Sequence, residues 1–422
     1  MFKSLAKKRI LIFLRSFEIG GAERQAAMLA NYLYHTENAK VAVWAYGPPG
    51  PLLELLDKNI VRKSIPLNLE NLKLENIPKR KIDLWNLALA ILRFRPHAIL
   101  PYTLTPNTDC GYIWKMTGAK TCIWNQRDEW LDFLDHPENE IEIKSFENIP
   151  IFVSNSKRGA ELIQKKLKSR PAGKVRFIPN AVQLEEPKKN RSEWRKKLAV
   201  GNKDIVAVMI ANLTKNKDHV TLLKAWKTVI GNSENKPLLV LAGRNDETRD
   251  ELKSLAKELN IESYVCFLGF TRDISGLLKA SDLAFLCSKS EGSPNGILEP
   301  MAAGLPVISY KIRGAEDILG RNYPFYAPMG NEKGLAETIL KIIRDKKMRT
   351  KIGIENYDKV AENFSPEAAL DKYSRLIEQM LSGSGINYIL VTKELWKFWK
   401  IIKKIKKELK KQEEISKNKK PV

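Results

Sequence analysis

From Arg9 onward, short apolar runs alternate with amphipathic stretches, and the pattern occurs twice along the chain. The first series contains "RILIFL", "KVAVWAY", "HAILPY", "KTCIWN", "IPIFVSNS" and "KVRFIPN". Helical patterns such as "GGAERQAAMLANYL", "RKIDLWNLALAILRF" and "KRGAELIQKKL" lie between them. The second contains "DIVAVMIAN", "PLLVLAG", "YVCFLGF" and "DLAFLCS", separated by "HVTLLKAWKTVI" and "RDELKSLAKELN". Continuously apolar strands separated by helices require a parallel sheet covered on both faces. The expected class is α/β, with two Rossmann-like, doubly wound domains in tandem.

A chain of 422 residues accommodates two such cores. The polar segment "NAVQLEEPKKNRSEW" reads as the linker, which gives an N-terminal domain over 1–184 and a C-terminal one over 185–364. A helix over 365–381 follows, then a basic amphipathic tail over 382–422. No run reaches membrane-spanning length. The N-terminal apolar run, Ile10 to Leu14, is too short for a signal-peptide core and Arg15 ends it, so a cytoplasmic location is expected. Cys110, Cys122, Cys266 and Cys287 form no Cys-x-x-Cys pair, and the four histidines are scattered, so neither a disulfide framework nor a metal site is expected.

The chemistry concentrates in "SEGSPNGILEPMAAGLPVI", Ser290 to Ile308. It follows the strand "DLAFLC", so its loop lies at a carboxyl strand end, where open α/β sheets bind ligands. Gly292 and Gly296 permit a tight backbone path into the helix "ILEPMAA". The unpartnered N–H groups and the dipole at that helix start favour a phosphate or diphosphate. A carboxylate would repel that group. Glu291 and Glu299, flanking the site, are better suited to accept hydrogen bonds from sugar hydroxyls. Taken alone, such a pair is better read as Glu299 complementing its helix dipole and Glu291 as a solvated loop residue.

As a set, these residues resemble the Glu-x7-Glu donor motif of glycosyltransferase family 4, of the GT-B fold. The similarity extends through "FLGFTRDISGLLKASDLAFLCS", "GGAERQAAMLANYL" and "FIPNAV", over about Arg9 to Leu381. It implies two domains with the donor in the cleft between them. It assigns the ribose hydroxyls to Glu299, the donor sugar to Glu291, and the diphosphate to the backbone of Pro294, Asn295, Gly296, Ile297 and Leu298, with Gly292 and Ser293 leading in. Lys217, in "ANLTKNKDH", matches the family lysine that reaches the diphosphate. Gly20 and Gly21 match the glycine loop near the phosphates and acceptor. There are departures. Asn212 stands where many members carry a phosphate-binding arginine, which leaves Lys215 or Arg244 as the substitute. Ser293-Pro294 replaces an aromatic-glycine pair. "NQRDEW" stands where a histidine is common, which makes Arg127 and Asp128 the acceptor-side candidates, with a solvated loop the other reading.

The resemblance implies a retaining, metal-independent transfer of a sugar from a nucleotide diphosphate, UDP more readily than GDP, to a hydroxyl of a glycan acceptor. Lys217 and the helix start near Ile297 would stabilise the leaving group. No cofactor is expected, because the sugar nucleotide is itself a substrate. A GT-B-fold epimerase or phosphorylase is the enzymic alternative.

The net charge of +23 calls for an acidic partner. A nucleic-acid-binding protein is the remote reading, since no recognition motif accompanies the charge, and no nucleic-acid partner is expected. In "ELWKFWKIIKKIKKELKK", Leu395, Phe398, Ile402, Ile405 and Leu409 form an apolar stripe, lysines from Lys393 to Lys411 fill much of the remainder, and Trp396 and Trp399 sit beside the stripe. Residues 386–412 are therefore expected to lie on an anionic membrane surface, close to a lipid-linked acceptor. Packing of the stripe on the protein's own body or on a partner helix is the alternative.

Overall fold

The computed structural model describes residues 5–127, 131–167, 174–234, 236–244, 247–383 and 388–418. The chain divides into two compact units. One comprises Met1–Asn155, Gly159–Ile178 and Leu370–Val422, the other Ser156–Arg158 and Pro179–Ala369.

The first unit carries a seven-stranded sheet of β1 (Arg9–Leu14), β2 (Lys40–Tyr46), β3 (Val61–Ile65), β4 (Ala98–Pro101), β5 (Thr121–Gln126), β6 (Ile151–Ser154) and β7 (Val175–Phe177). The order is β3-β2-β1-β4-β5-β6-β7, and every pairing is parallel. Central β1 is fully buried from Ile10 to Leu14, which explains its unbroken apolar run. The edge strand β3, "VRKSI", is nearly all exposed, so it carries no apolar signal in the sequence.

The second unit repeats the plan with β8 (Val206–Ile210), β9 (Leu238–Ala242), β10 (Val265–Gly269), β11 (Leu283–Leu286), β12 (Val307–Tyr310) and β13 (Tyr326–Ala327). Its order is β10-β9-β8-β11-β12-β13, again parallel. The direction of winding reverses between β8 and β11. The loops leaving their carboxyl ends therefore lie at the topological switch point, where sheets of this kind hold ligands.

Three sequence expectations are adjusted. Residues 179–184, assigned above to the N-terminal domain, cluster with the second unit, where Val182 N–H donates to the Phe364 carbonyl at 2.8 Å. The linker reading of "NRSEW" gives way to a helix, Arg191–Lys197. Its capping box has the Asn190 side chain accepting from Glu193 N–H while Glu193 accepts from Asn190 N–H. The third concerns the tail. Residues Tyr388–Asn418 form one helix, and its apolar stripe is already covered. Phe398, Ile402 and Ile405 are buried in the first unit's core, with Leu395 and Leu409 packed against it. Phe398 sits 5.9 Å from the Trp85 ring and 5.8 Å from that of Tyr112. Each such burial is worth roughly 1.5–3 kcal/mol, so the stripe packs on the protein's own body and is not available for insertion into lipid. Ile386 and Asn387, at the start of the expected membrane segment, lie outside the described residues. Among the described residues no helix is long and apolar enough to cross a membrane.

Candidate active site

β8 and β11 are neighbours in the sheet, and the loops that follow them are joined to each other. After β8 the chain makes a single 3-10 turn, Lys215–Lys217, before the helix His219–Gly231. Asp218 turns the chain there in a left-handed conformation, φ 50°, and Tyr310 Oη donates to its carboxylate at 3.0 Å. After β11 the loop 287–294 leads into the helix Asn295–Ala302. Lys289 N–H donates to the Asn216 carbonyl at 2.9 Å, and Asn216 Nδ2 to the Ser290 carbonyl at 3.1 Å. Lys217 Nζ then donates to Glu291 Oε1, forming an ion pair between partly buried side chains. Two residues 74 positions apart are thereby brought together by the sheet order.

The helix that follows begins at Asn295, two residues before the expected Ile297. The N–H groups of Ile297 and Leu298 both donate to the Pro294 carbonyl, at 3.0 and 3.3 Å. Their side chains are fully buried in the core. A helix start carries amides without intrahelical partners and a partial positive charge. Glu299 lies further along the same helix and is buried. Gly292 and Ser293 make the approach. Gly296 packs closely, since a Cβ there would meet the Ile210 carbonyl oxygen at 3.3 Å.

Two further residues hold this loop in place, and sequence reasoning did not single them out. Asn180 donates through Nδ2 to the Ser293 carbonyl at 3.0 Å and to Asn295 Oδ1 at 3.1 Å. Gly314 lies directly beneath the loop. A Cβ there would collide with the carbonyl oxygens of Glu291 and Gly292. The Asn in "FIPNAV" and the Gly in "KIRGAED" were visible as residues, but their reach across the fold was not.

The remaining candidates are distributed as follows. Asn212 Oδ1 accepts from Arg244 N–H at 3.2 Å, so Asn212 fixes the backbone that carries Arg244. Gly20 caps the first-unit helix Gly21–His35 with extended backbone, and the Glu23 carboxylate folds over it. Burial pushes the Glu23 carboxyl up, against the lowering effects of its backbone hydrogen bond and of Arg15. Arg127 lies against the Tyr102 ring, 4.6 Å from its centroid, and donates to Tyr373 Oη, which itself donates to Asn125 Oδ1 at 3.0 Å. It thus ties the end of β5 to Tyr373, in the part of the helix Pro366–Ser382 that belongs to the first unit. Asp128 lies outside the described residues.

Residues 190–359 match the family model described as glycosyl transferases group 1. The chain carries a group 1 glycosyl transferase domain. Within this glycosyl transferase domain fall Asn212, Lys217, Arg244 and the whole of Glu291–Glu299, together with Gly314. Gly20, Gly21, Arg127 and Asn180 lie outside it. The chain is 26% identical over 195 residues to N-acetyl-alpha-D-glucosaminyl L-malate synthase of Bacillus anthracis, covering 46% of this chain and 50% of that one. It is 27% identical over 213 residues to UDP-Gal:alpha-D-GlcNAc-diphosphoundecaprenol alpha-1,3-galactosyltransferase of Escherichia coli, covering 49% and 55%. It therefore spans about half the length of these curated relatives. Among solved structures, Anabaena HepE in complex with UDP and glucose superposes with a TM-score of 0.73 at 18% identity, over 88% of this chain and 100% of that one. That likeness establishes a GT-B fold for this chain.

Proposed function

We propose that the protein is a retaining glycosyltransferase that moves a sugar from a UDP-linked donor to a hydroxyl of a lipid-linked glycan, in the assembly of a bacterial surface polysaccharide. The observation that carries this reading is the meeting of Lys217 and Glu291 at the start of the helix Asn295–Ala302, with Glu299 buried on the same helix. A cation and a row of amides suit a diphosphate, and two carboxylates suit the hydroxyl-bearing groups at its ends. Relatives named for transfer to diphosphoundecaprenol-linked glycans supply the acceptor class.

In this reading the bond between the anomeric carbon and the diphosphate oxygen breaks as the acceptor oxygen bonds to the same face. Lys217 and the amides of Asn295 and Gly296 take up the charge that develops on the leaving diphosphate. Because they are fixed before the reaction, they stabilise the transition state without reorganising. The acceptor proton passes to the departing phosphate oxygen, and no divalent ion is required. The reaction takes place at the cytoplasmic side of an anionic membrane, where lipid-linked acceptors are held.

The test is a thermal-shift screen of UDP, GDP and their sugars against the full chain, since a ligand that binds only the folded state raises the melting temperature. UDP-sugars should stabilise the protein, and Glu299→Ala should remove the shift. Stabilisation by neither nucleotide would overturn the reading. Release of epimerised donor in the absence of any acceptor would convert it to an epimerase.

A further inference from the structure

The helix Tyr388–Asn418 uses its apolar stripe to pack on the first unit, and this packing determines which face remains outside. At 100° per residue, the arc opposite Phe398, Ile402 and Ile405 carries Lys393, Trp396, Lys400, Lys403, Lys407 and Lys411, all exposed. From Ile389 to Lys411 that arc contains no acidic residue. Glu394 and Glu408 lie on the flanks, where they pair with Lys397 at 3.0 Å and Lys404 at 3.9 Å. Trp396 is 56% exposed and Trp399 44%, large indoles left in water beside the cations. Lys400 Nζ stands 3.4 Å from the centroid of Trp396, and Lys403 Nζ 5.2 Å from that of Trp399.

We propose that this outward face of the helix docks the protein on an anionic lipid bilayer, through lysine–headgroup contacts and the two exposed indoles, while the buried stripe anchors the helix to the first unit. Charge selects the occupant. An acid-free row of lysines repels a second copy of itself, and it attracts a surface of clustered negative charge. The indoles favour lipid over other polyanions, because Trp partitions to the headgroup boundary with its ring in the apolar margin and its N–H in water. Each lysine held near an anionic surface raises partitioning about fivefold before screening. The mode is shallow: the helix lies flat and inserts only the rings.

The test is flotation of the full chain with vesicles of phosphatidylcholine, with and without phosphatidylglycerol. The protein should float only with the anionic vesicles and should be released by added salt. The triple charge reversal Lys400→Glu/Lys403→Glu/Lys407→Glu should lower binding by at least about a hundredfold, and Trp396→Ala/Trp399→Ala should lower it further at high salt than at low salt. All five side chains are exposed, so an unchanged melting temperature verifies that the variants are folded. The proposal is overturned if the triple variant floats like the parent, if the parent ignores phosphatidylglycerol, or if the face retains a DNA duplex in place of vesicles. Flotation needs no sugar nucleotide, so the result stands whether or not the Lys217–Glu291 site transfers sugar.

Discussion

Lys217 and Glu291 form an ion pair across two neighbouring strand ends, with the lysine ammonium donating to Glu291 Oε1. Both side chains are about one-quarter to one-fifth exposed, at 24% and 20%. The pair is neither fully solvated nor fully buried, and a dianionic ligand would compete with Glu291 for the ammonium. It holds the two groups in register at the helix start.

Lys217→Ala should therefore slow kcat by roughly 30- to 1,000-fold, the usual cost of about 2–4 kcal/mol for removing one preorganised charge donor. Glu291→Ala should lower kcat more than it raises KM. Because the two side chains touch, the double variant should lose less than the sum of the two single losses. Steady-state kinetics on the four proteins closes that cycle. Near-normal turnover in both single variants would remove these residues from the mechanism.

Glu299 lies buried on the helix that follows the loop, and its expected role is in holding the donor. Glu299→Gln keeps the volume and loses the charge. Its main effect should be on donor KM, raised roughly tenfold or more by loss of a charge-assisted hydrogen bond of about 1.5–3 kcal/mol. Calorimetric titration with UDP-sugar checks this directly. Equal affinity in parent and variant would count against the assignment.

Gly314 offers a test of positioning without touching a charged group. Ala at that position must displace the carbonyls of Glu291 and Gly292, since no space exists for a Cβ. A displacement near 1 Å costs about a hundredfold in rate, so Gly314→Ala should depress kcat to about that extent. Gly231→Ala is the control, because a Cβ there meets nothing within 4 Å. Similar kinetics for the two alanine variants would show that the loop does not depend on Gly314.

His219 governs an acid limit on stability. It is 2% exposed, and neither ring nitrogen has a hydrogen-bond partner among the described residues. Burial, aided by Lys217 and opposed by Asp218, lowers its pKa from 6.5 to about 4. The unfolded chain therefore takes up a proton as the pH falls below 6.5, while the folded one resists until about pH 4. Stability is lost across that window, by roughly 3 kcal/mol, and is unaffected above it. Urea unfolding of the parent at several pH values, compared with His219→Phe, should show the slope in the parent and a smaller one in the variant. Parallel curves would exclude His219 as its source.

The parts of this protein that could be read from sequence are those governed by local order. "RILIFL" and "DLAFLC" had to be strands because every apolar side chain in them is buried, and "ILEPMAA" had to begin a helix at a strand end. The Glu-x7-Glu stretch was readable for the same reason, since its loop, helix and carboxylates lie within a single run of chain. The capping box at Asn190 and Glu193 was also locally encoded, although the polar composition around it pointed to a linker. The edge strand Val61–Ile65 was hidden because exposed edge positions need no apolar residue.

Periodicity along the chain thus determined two parallel α/β sheets and placed the loop before Glu299 at a strand end, because burial on a strand or helix leaves a mark every two or every three to four residues. Only the tertiary structure decided which distant groups meet. It joined Lys217 to Glu291, set Asn180 on Ser293, placed Gly314 beneath the loop, and turned the tail's apolar stripe inward so that its lysines and tryptophans face out. Those outcomes depend on strand order and on which surface a helix finds to cover. An amphipathic pattern states that one face must be buried without stating what will bury it.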